Sequence, residues 1–272
     1  MASRYIVIII LFFVSWLVCK LIWNPRSRQR FGSPLTRVVW TFWDKGFENA
    51  PIACQMALKS WKYYNPSWTV IPLDRKSVYR YLEKSWLDDL WHKNQIQTQS
   101  DLLRINLLNI YGGVWVDATL WCNKPLDDWL YEYLEDFFVF KYDTKCSFGT
   151  WFMASKRSNY ICKKVAETYN AFWKNRFHSK DYFNFHHTFH KLCRNNKKFR
   201  HKFWKIPRPF PAQELMLTPQ NRGTHRNVTD EYLKNKISKA DLYPVFKLST
   251  KTDVANFSSI SSLLEILYKR IS

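Results

Sequence analysis

Three features of this 272-residue chain predict an α/β fold. Short runs rich in β-branched and aromatic residues alternate with longer apolar-periodic runs, as expected when strands and helices share one core. Within residues 98–117 an apolar helix, a Gly-Gly break and a core strand follow one another, and a carboxylate stands at the strand's end. The length allows one large domain with appendages, and an aromatic share of 18% against only 6 glycines points to a bulky core.

Tyr5 through Trp23 is apolar except for Ser15, Cys19 and Lys20, roughly the 20 residues that span a hydrocarbon core. Lys20 can snorkel to the interface. No small-residue cleavage site follows, so residues 1–23 are expected to form an uncleaved transmembrane signal anchor. Residues 24–36, with two prolines and several arginines, read as a stem, and residues 37–272 as the main domain. Strands are expected near 38–43 and 68–73, with a helix near 50–64 between them and further helices up to about 111. Strands near 137–141 and 151–155 and helices near 158–175 and 181–196 follow. A basic loop with Pro207, Pro209 and Pro211 comes next, and Leu263 through Arg270 reads as a terminal helix. There is no internal repeat.

The run from Ser100 to Thr119 carries the chemistry. Thr98 can cap a helix whose N3 residue is Asp101, the spacing of a capping box. Leu102, Leu103, Ile105, Leu107, Leu108, Ile110 and Tyr111 wrap most of that helix, which is therefore expected to be buried. Gly112 and Gly113 supply the positive φ that ends it. Val114-Trp115-Val116 is the core strand, with Asp117 at its carboxyl end, where open α/β sheets bind ligands. Buried charges are costly unless paired or used, so Asp101, Arg104 and Asp117 form a candidate polar site. The residues alone leave a structural alternative open: a capping acid, its i,i+3 partner and a turn former.

The motifs S-D-L-L-R (100–104) and Y-G-G-V-W-V-D-A-T (111–119) resemble the capsular-polysaccharide-synthesis family of sugar transferases, relatives of the Asp-x-Asp glycosyltransferases. The resemblance extends to Val39–Trp43, Glu48–Pro51, Ser60–Lys62, Asn65–Asp74, Trp151–Ser155, Asp181–His186 and Lys247–Lys251, covering roughly residues 37–251. It implies a glycosyltransferase-A-like, nucleotide-sugar-binding domain. It further implies a membrane-anchored enzyme that moves a hexose, with retention, from a UDP-sugar ahead of a GDP-sugar to a glycan or glycoconjugate acceptor. Asp101 and Arg104 match the pair that holds donor-sugar hydroxyls, and Asp117 the first aspartate of Asp-x-Asp. Thr119 stands where the second aspartate is expected. Mn2+ or Mg2+ is the implied cofactor, held by Asp117 and Thr119, although a hydroxyl is a poorer ligand for a hard cation than a carboxylate. The alternative is that basic side chains share in neutralising the leaving diphosphate. Lys247 and Lys251 are candidates for diphosphate contact, with solvated lysines as the competing reading, and His186 is a candidate substrate contact. Thr119 also motivates a second reading, an inactive relative that binds glycans or acts as a scaffold.

The net charge of +20 invites a nucleic-acid reading, but basic residues are spread along the chain, and anionic lipid, nucleotide-sugars or acidic glycans use such charge equally well. Nucleic acid is not expected as a partner. His186 and His190 would share a helical face, yet no second Cys or His pair follows at zinc spacing. Arg26, Arg28 and Arg30 after the apolar span favour a cytosolic domain, whereas Golgi-type transferases are type II and lumenal, the orientation favoured in a eukaryote. Sequons at Asn227 and Asn256 lean towards the lumen. Cys54, Cys122, Cys146, Cys162 and Cys193 are odd in number and widely spaced, so buried free thiols are expected.

Overall fold

The computed structural model describes residues 34–92, 95–142, 146–174, 176, 181–216, 240–248 and 265–271. The expected anchor, the stem up to residue 33, both sequons and Lys251 lie outside the described residues. No helix among the described residues is long and apolar enough to cross a membrane.

The chain is a mixed α/β fold. It runs β1 (Val38–Phe42), α1 (Ile52–Tyr64), β2 (Thr69–Leu73), α2 (Lys84–Trp91), α3 (Ile96–Tyr111), β3 (Gly113–Val116) and β4 (Leu120–Cys122). Then come α4 (Leu126–Tyr133), β5 (Phe137–Lys141), β6 (Phe148–Ser155), α5 (Tyr160–Lys174), α6 (Asn184–Asn195), α7 (Lys197–Trp204) and β7 (Val245–Lys247). Five strands form one sheet in the order β2-β1-β3-β6-β5. β1 pairs in parallel with β2 and β3, while β6 pairs antiparallel with both β3 and β5. β1, β3, β5 and β6 are buried along almost their whole length, which explains runs such as Phe137-Phe138-Val139-Phe140 with no polar alternation. β2 is one of the sheet's two edge strands, and its Pro72 is tolerated there because an edge leaves some ladder positions unpaired.

The Gly-Gly break does what its sequence predicts. Gly112 and Gly113 both have positive φ, at 70° and 94°. A Cβ on Gly113 would stand 2.5 Å from the Val38 carbonyl oxygen, and one on Gly112 2.7 Å from the Arg157 backbone nitrogen. The two glycines therefore let α3 stop and β3 enter the sheet directly beside β1. Trp40 closes the corner by donating its indole N–H to the Gly112 carbonyl at 2.9 Å.

The structure departs from three expectations. α3 begins at Ile96 with Gln95 as its N-cap and no side-chain cap bond, so Thr98 does not cap it. Thr98 and Gln99 lie inside the helix and are buried, because packing against the core outweighs the local capping signal. The stretch after residue 196 is not loop from its start: Lys197–Trp204 is α7, whose Asn196 side chain accepts from the Phe199 N–H at 2.9 Å. Phe199 and Phe203 supply its buried face. Of the five cysteines expected as free thiols, Cys146 and Cys193 form a disulfide. Their 47-residue separation in sequence hides a Cα–Cα distance of 6.6 Å. Cys122 and Cys162 are free and buried, and Cys54 is buried as well. The pairing of β4 with β7 was not expected from sequence. At the C-terminus, residues 265–269 are helical.

Candidate active site

The site is built where the sheet's strand order turns back on itself. β1 and β3 are parallel neighbours, with β2 beyond β1 on one side and β6 beyond β3 on the other. The crevice beyond the carboxyl ends of two such strands is open to a ligand because the connections leave in opposite directions. Asp117 follows β3 directly, and its backbone N–H donates to the Trp151 carbonyl at 2.9 Å. The carboxylate is thus fixed at the mouth of that crevice.

α3 delivers Asp101 and Arg104 to the same point, one turn apart. Arg104 is the hub: Nη1 donates to Asp101 Oδ1 at 2.5 Å and Nη2 to Asp117 Oδ1 at 2.8 Å. Its side chain is 4% exposed. The guanidinium lies between the Trp115 and Phe185 rings, 5.2 and 5.7 Å from their centroids, a cation–π setting that offsets part of its lost hydration. Arg104 Nε has no hydrogen-bond partner among the described residues. Trp115 also donates its indole N–H to Asp117 Oδ1 at 3.1 Å.

The other oxygen of Asp117 is held from a distant part of the chain. β7 pairs antiparallel with β4, aligning Lys247 with Leu120, and the Leu248 N–H donates to the Thr119 carbonyl at 2.9 Å. Lys247 Nζ thereby donates to Asp117 Oδ2 at 3.2 Å and also to the Thr119 hydroxyl. Its side chain is 15% exposed, so it is not the solvated lysine of the competing reading.

Burial and charge divide the two carboxyls. Burial alone would raise the Asp117 carboxyl, but the adjoining Lys247 and Arg104 cations hold it down at about 2. Asp101 shares Arg104 with Asp117; there burial outweighs the arginine, the Asp117 charge adds to it, and the carboxyl is pushed up to about 7. The cluster thus sets two cations against two carboxyls, of which burial pushes Asp101 towards its neutral form.

His186, on α6, stands beside the cluster rather than in it. Its Nε2 lies 3.3 Å from the Phe148 carbonyl oxygen, which accepts from it. Burial first, with the Arg104 charge as a smaller contribution, lowers its imidazole to about 4, so the ring is neutral at physiological pH. Lys251 lies outside the described residues. No group of three or more His, Cys, Asp or Glu side chains able to hold a metal occurs among the described residues.

Three residues at the site escaped sequence reasoning. Trp115 carried a usable signal, since it precedes Asp117 by two positions and the strand period puts both on one face. Tyr182 lies within the Asp181–His186 stretch of the resemblance but was given no role there, and Tyr142 carried no signal. Burial chiefly, and then the Asp117 charge, raises both phenols, the Tyr142 hydroxyl also meeting Trp151.

A divalent cation does not fit these residues. Among the described residues Asp117 is the one carboxylate at the position, both of its oxygens already face cations, and Thr119 offers a neutral hydroxyl that Lys247 engages. Hard cations take several oxygen ligands, carboxylates above all.

Residues 23–271 match the family model described as capsular polysaccharide synthesis protein, and the chain belongs to that family. Among its relatives, glycosyltransferase afumC of Aspergillus fumigatus (strain CBS 144.89 / FGSC A1163 / CEA10) is 32% identical over 159 residues, 51% of this chain and 41% of the relative. The O-glycosyltransferase braB of Annulohypoxylon truncatum is 28% identical over 156 residues, 50% of this chain and 37% of the relative. The matched part thus spans about two-fifths of the length of these relatives. A solved structure titled PaToxG Glycosyltransferase aligns with 78% of this chain and 90% of its own, at 13% identity and a TM-score of 0.49.

Proposed function

We propose that this chain is a glycosyltransferase that moves a hexose from a nucleotide-sugar donor, UDP-linked ahead of GDP-linked, to a glycan or glycoconjugate acceptor. The observation that carries the reading is the partly buried Asp101–Arg104–Asp117–Lys247 cluster beyond the carboxyl end of β3, in which two cations hold the strand-end carboxylate. Membership of the capsular polysaccharide synthesis family and the glycosyltransferase names of two relatives support it.

Transfer breaks the bond from the anomeric carbon to the diphosphate, whose oxygen keeps the electron pair, and forms a bond from that carbon to the acceptor oxygen. The acceptor proton leaves to the departing phosphate. The transition state resembles an oxocarbenium ion. Asp117, ionised at any physiological pH, accepts from donor hydroxyls and faces the positive charge developing on the sugar. Asp101, part protonated near neutrality, both donates to and accepts from a sugar hydroxyl, and Arg104 fixes the two carboxyls in register. The cations meet the charge that grows on the diphosphate. Retention of configuration follows the family resemblance.

The apolar stretch Tyr5–Trp23 supports a single membrane anchor. The Cys146–Cys193 disulfide supports a type II, lumenal domain, because such bonds persist in oxidising compartments and are rare in the cytosol. That outweighs the arginines after the span. The second reading, a glycan-binding or scaffold relative, draws on Thr119 in place of a second aspartate.

The test uses the full chain in detergent and a panel of UDP- and GDP-hexoses. Release of nucleoside diphosphate that Asp117→Ala removes is expected. Release unchanged in that variant would overturn the assigned site, and glycan binding with no donor binding or turnover would favour the second reading.

A further inference from the structure

We propose that Lys247 occupies the place of a divalent cation in the donor site, so that the diphosphate is bound and released by resident side-chain cations without a metal. This rests on the donor-site reading above and names how that site handles its leaving group. The Lys247 ammonium lies between Asp117 Oδ2, at 3.2 Å, and the Thr119 hydroxyl. Those are the two positions from which an Asp-x-Asp pair would hold a metal ion. An added divalent ion would have to displace the lysine or sit against it, with Arg104 on the other Asp117 oxygen opposing it as well.

The lysine is held as a fixed charge. It ends β7, which is locked to β4 along Leu120–Cys122, and the next residue's N–H bonds back to Thr119. An ammonium has three N–H donors. Asp117 and Thr119 take two, and the third serves a phosphate oxygen of the donor. Arg104, on the other Asp117 oxygen, adds a second fixed positive charge to the same site. When the anomeric carbon–oxygen bond breaks, the electron pair stays on the departing phosphate oxygen. Lys247 balances that charge and keeps its own proton, while the acceptor proton leaves with the phosphate. A cation already in place requires no reorganisation as the charge develops.

The replacement also accounts for Thr119. With a lysine at this point, a second carboxylate has no divalent ion to bind, whereas a neutral hydroxyl accepts from the ammonium and leaves its positive charge for the diphosphate.

The experiment titrates UDP and GDP into the full chain in detergent, once with EDTA and once with Mn2+, and compares wild type with Lys247→Ala and Lys247→Arg. Wild type is expected to bind one nucleotide with EDTA to within about twofold of its affinity with Mn2+. Lys247→Ala should weaken that binding by about tenfold or more, the loss of a charge-assisted contact, and Lys247→Arg should recover part of it. Wild-type binding that needs Mn2+ overturns the inference while leaving the donor-site reading intact. Equal binding by a folded Lys247→Ala, checked by thermal melting, also overturns it. Binding of neither nucleotide under either condition overturns the donor-site reading, and the inference with it. The wild-type comparison decides the matter even if both variants fail to fold.

Discussion

Asp117 and Asp127 accept nearly the same set of donors, yet they do different work. Asp127, in the first turn of α4, takes the Arg37 guanidinium at 3.2 Å, the Trp68 indole N–H at 3.1 Å and the Ser67 hydroxyl at 3.1 Å. Asp117 takes the Arg104 guanidinium, the Trp115 indole N–H and the Lys247 ammonium. The contrast lies in the cations. Arg37 is 50% exposed, whereas Arg104 is 4% exposed and packed between two rings. An arginine in water gives a clasp of about 0–1 kcal/mol that ties the start of β1 to α4. A desolvated arginine with a second cation beside the carboxylate costs stability unless a ligand uses it. A list of partners does not tell the two apart. Burial of the partners does.

The largest effect should separate the two carboxylates by activity. Asp117→Asn is expected to cut nucleoside diphosphate release by about 100-fold or more, the scale of losing one preorganised electrostatic group, while Asp127→Asn stays near wild type. Equal losses in the two variants would erase the distinction.

Next comes the scaffold behind the buried cluster. The disulfide ties Cys146, just before β6, to Cys193 on α6, and α6 carries Phe185 against Arg104. Cys193→Ser should lower stability by about 2–4 kcal/mol, read as a lower melting temperature in non-reducing buffer. Reductant should bring wild type down to the variant. A melting temperature unmoved by both treatments would show that the bond does not support the site.

The pH dependence of stability should differ as well. Burial raises the Asp101 carboxyl from 3.8 to about 7, so between those values the folded chain binds more protons than the unfolded one. Its contribution to stability is therefore complete below about pH 4 and is lost as pH rises through about 7. Denaturant midpoints from pH 5 to 8 should show this decline in wild type and a flatter profile in Asp101→Asn. Superimposable profiles would mean that Arg104 holds Asp101 ionised throughout.

The smallest effect belongs to the exposed clasp. Asp127→Asn should cost no more than about 1 kcal/mol in stability, and salt should narrow the difference from wild type. A larger, salt-insensitive loss would place Asp127 among the buried pairs instead.

Sequence reasoning reached the local half of this site. Helix, Gly-Gly break, strand and terminal carboxylate lie within about twenty residues, so propensity, periodicity and the φ demand of glycine placed Asp101, Arg104 and Asp117 on neighbouring elements. The same local signals misjudged the start of α3, because Thr98 had the chemistry of a cap but the packing environment of a core residue. Strand periodicity could have added Trp115.

What the sequence determined by itself, then, is the α/β class, the glycine corner that brings β3 beside β1, and a carboxylate at a strand's end with an acid and a base one turn apart. These depend on backbone preferences and on spacings of a few residues. Long-range packing brings Lys247 to Asp117 across 130 positions, joins Cys146 to Cys193, and leaves Arg104 rather than Arg37 out of water. Each of those depends on which strands pair and on what covers them. Charge carries no address along the chain, and a lysine becomes part of a site only when a distant strand holds it out of water.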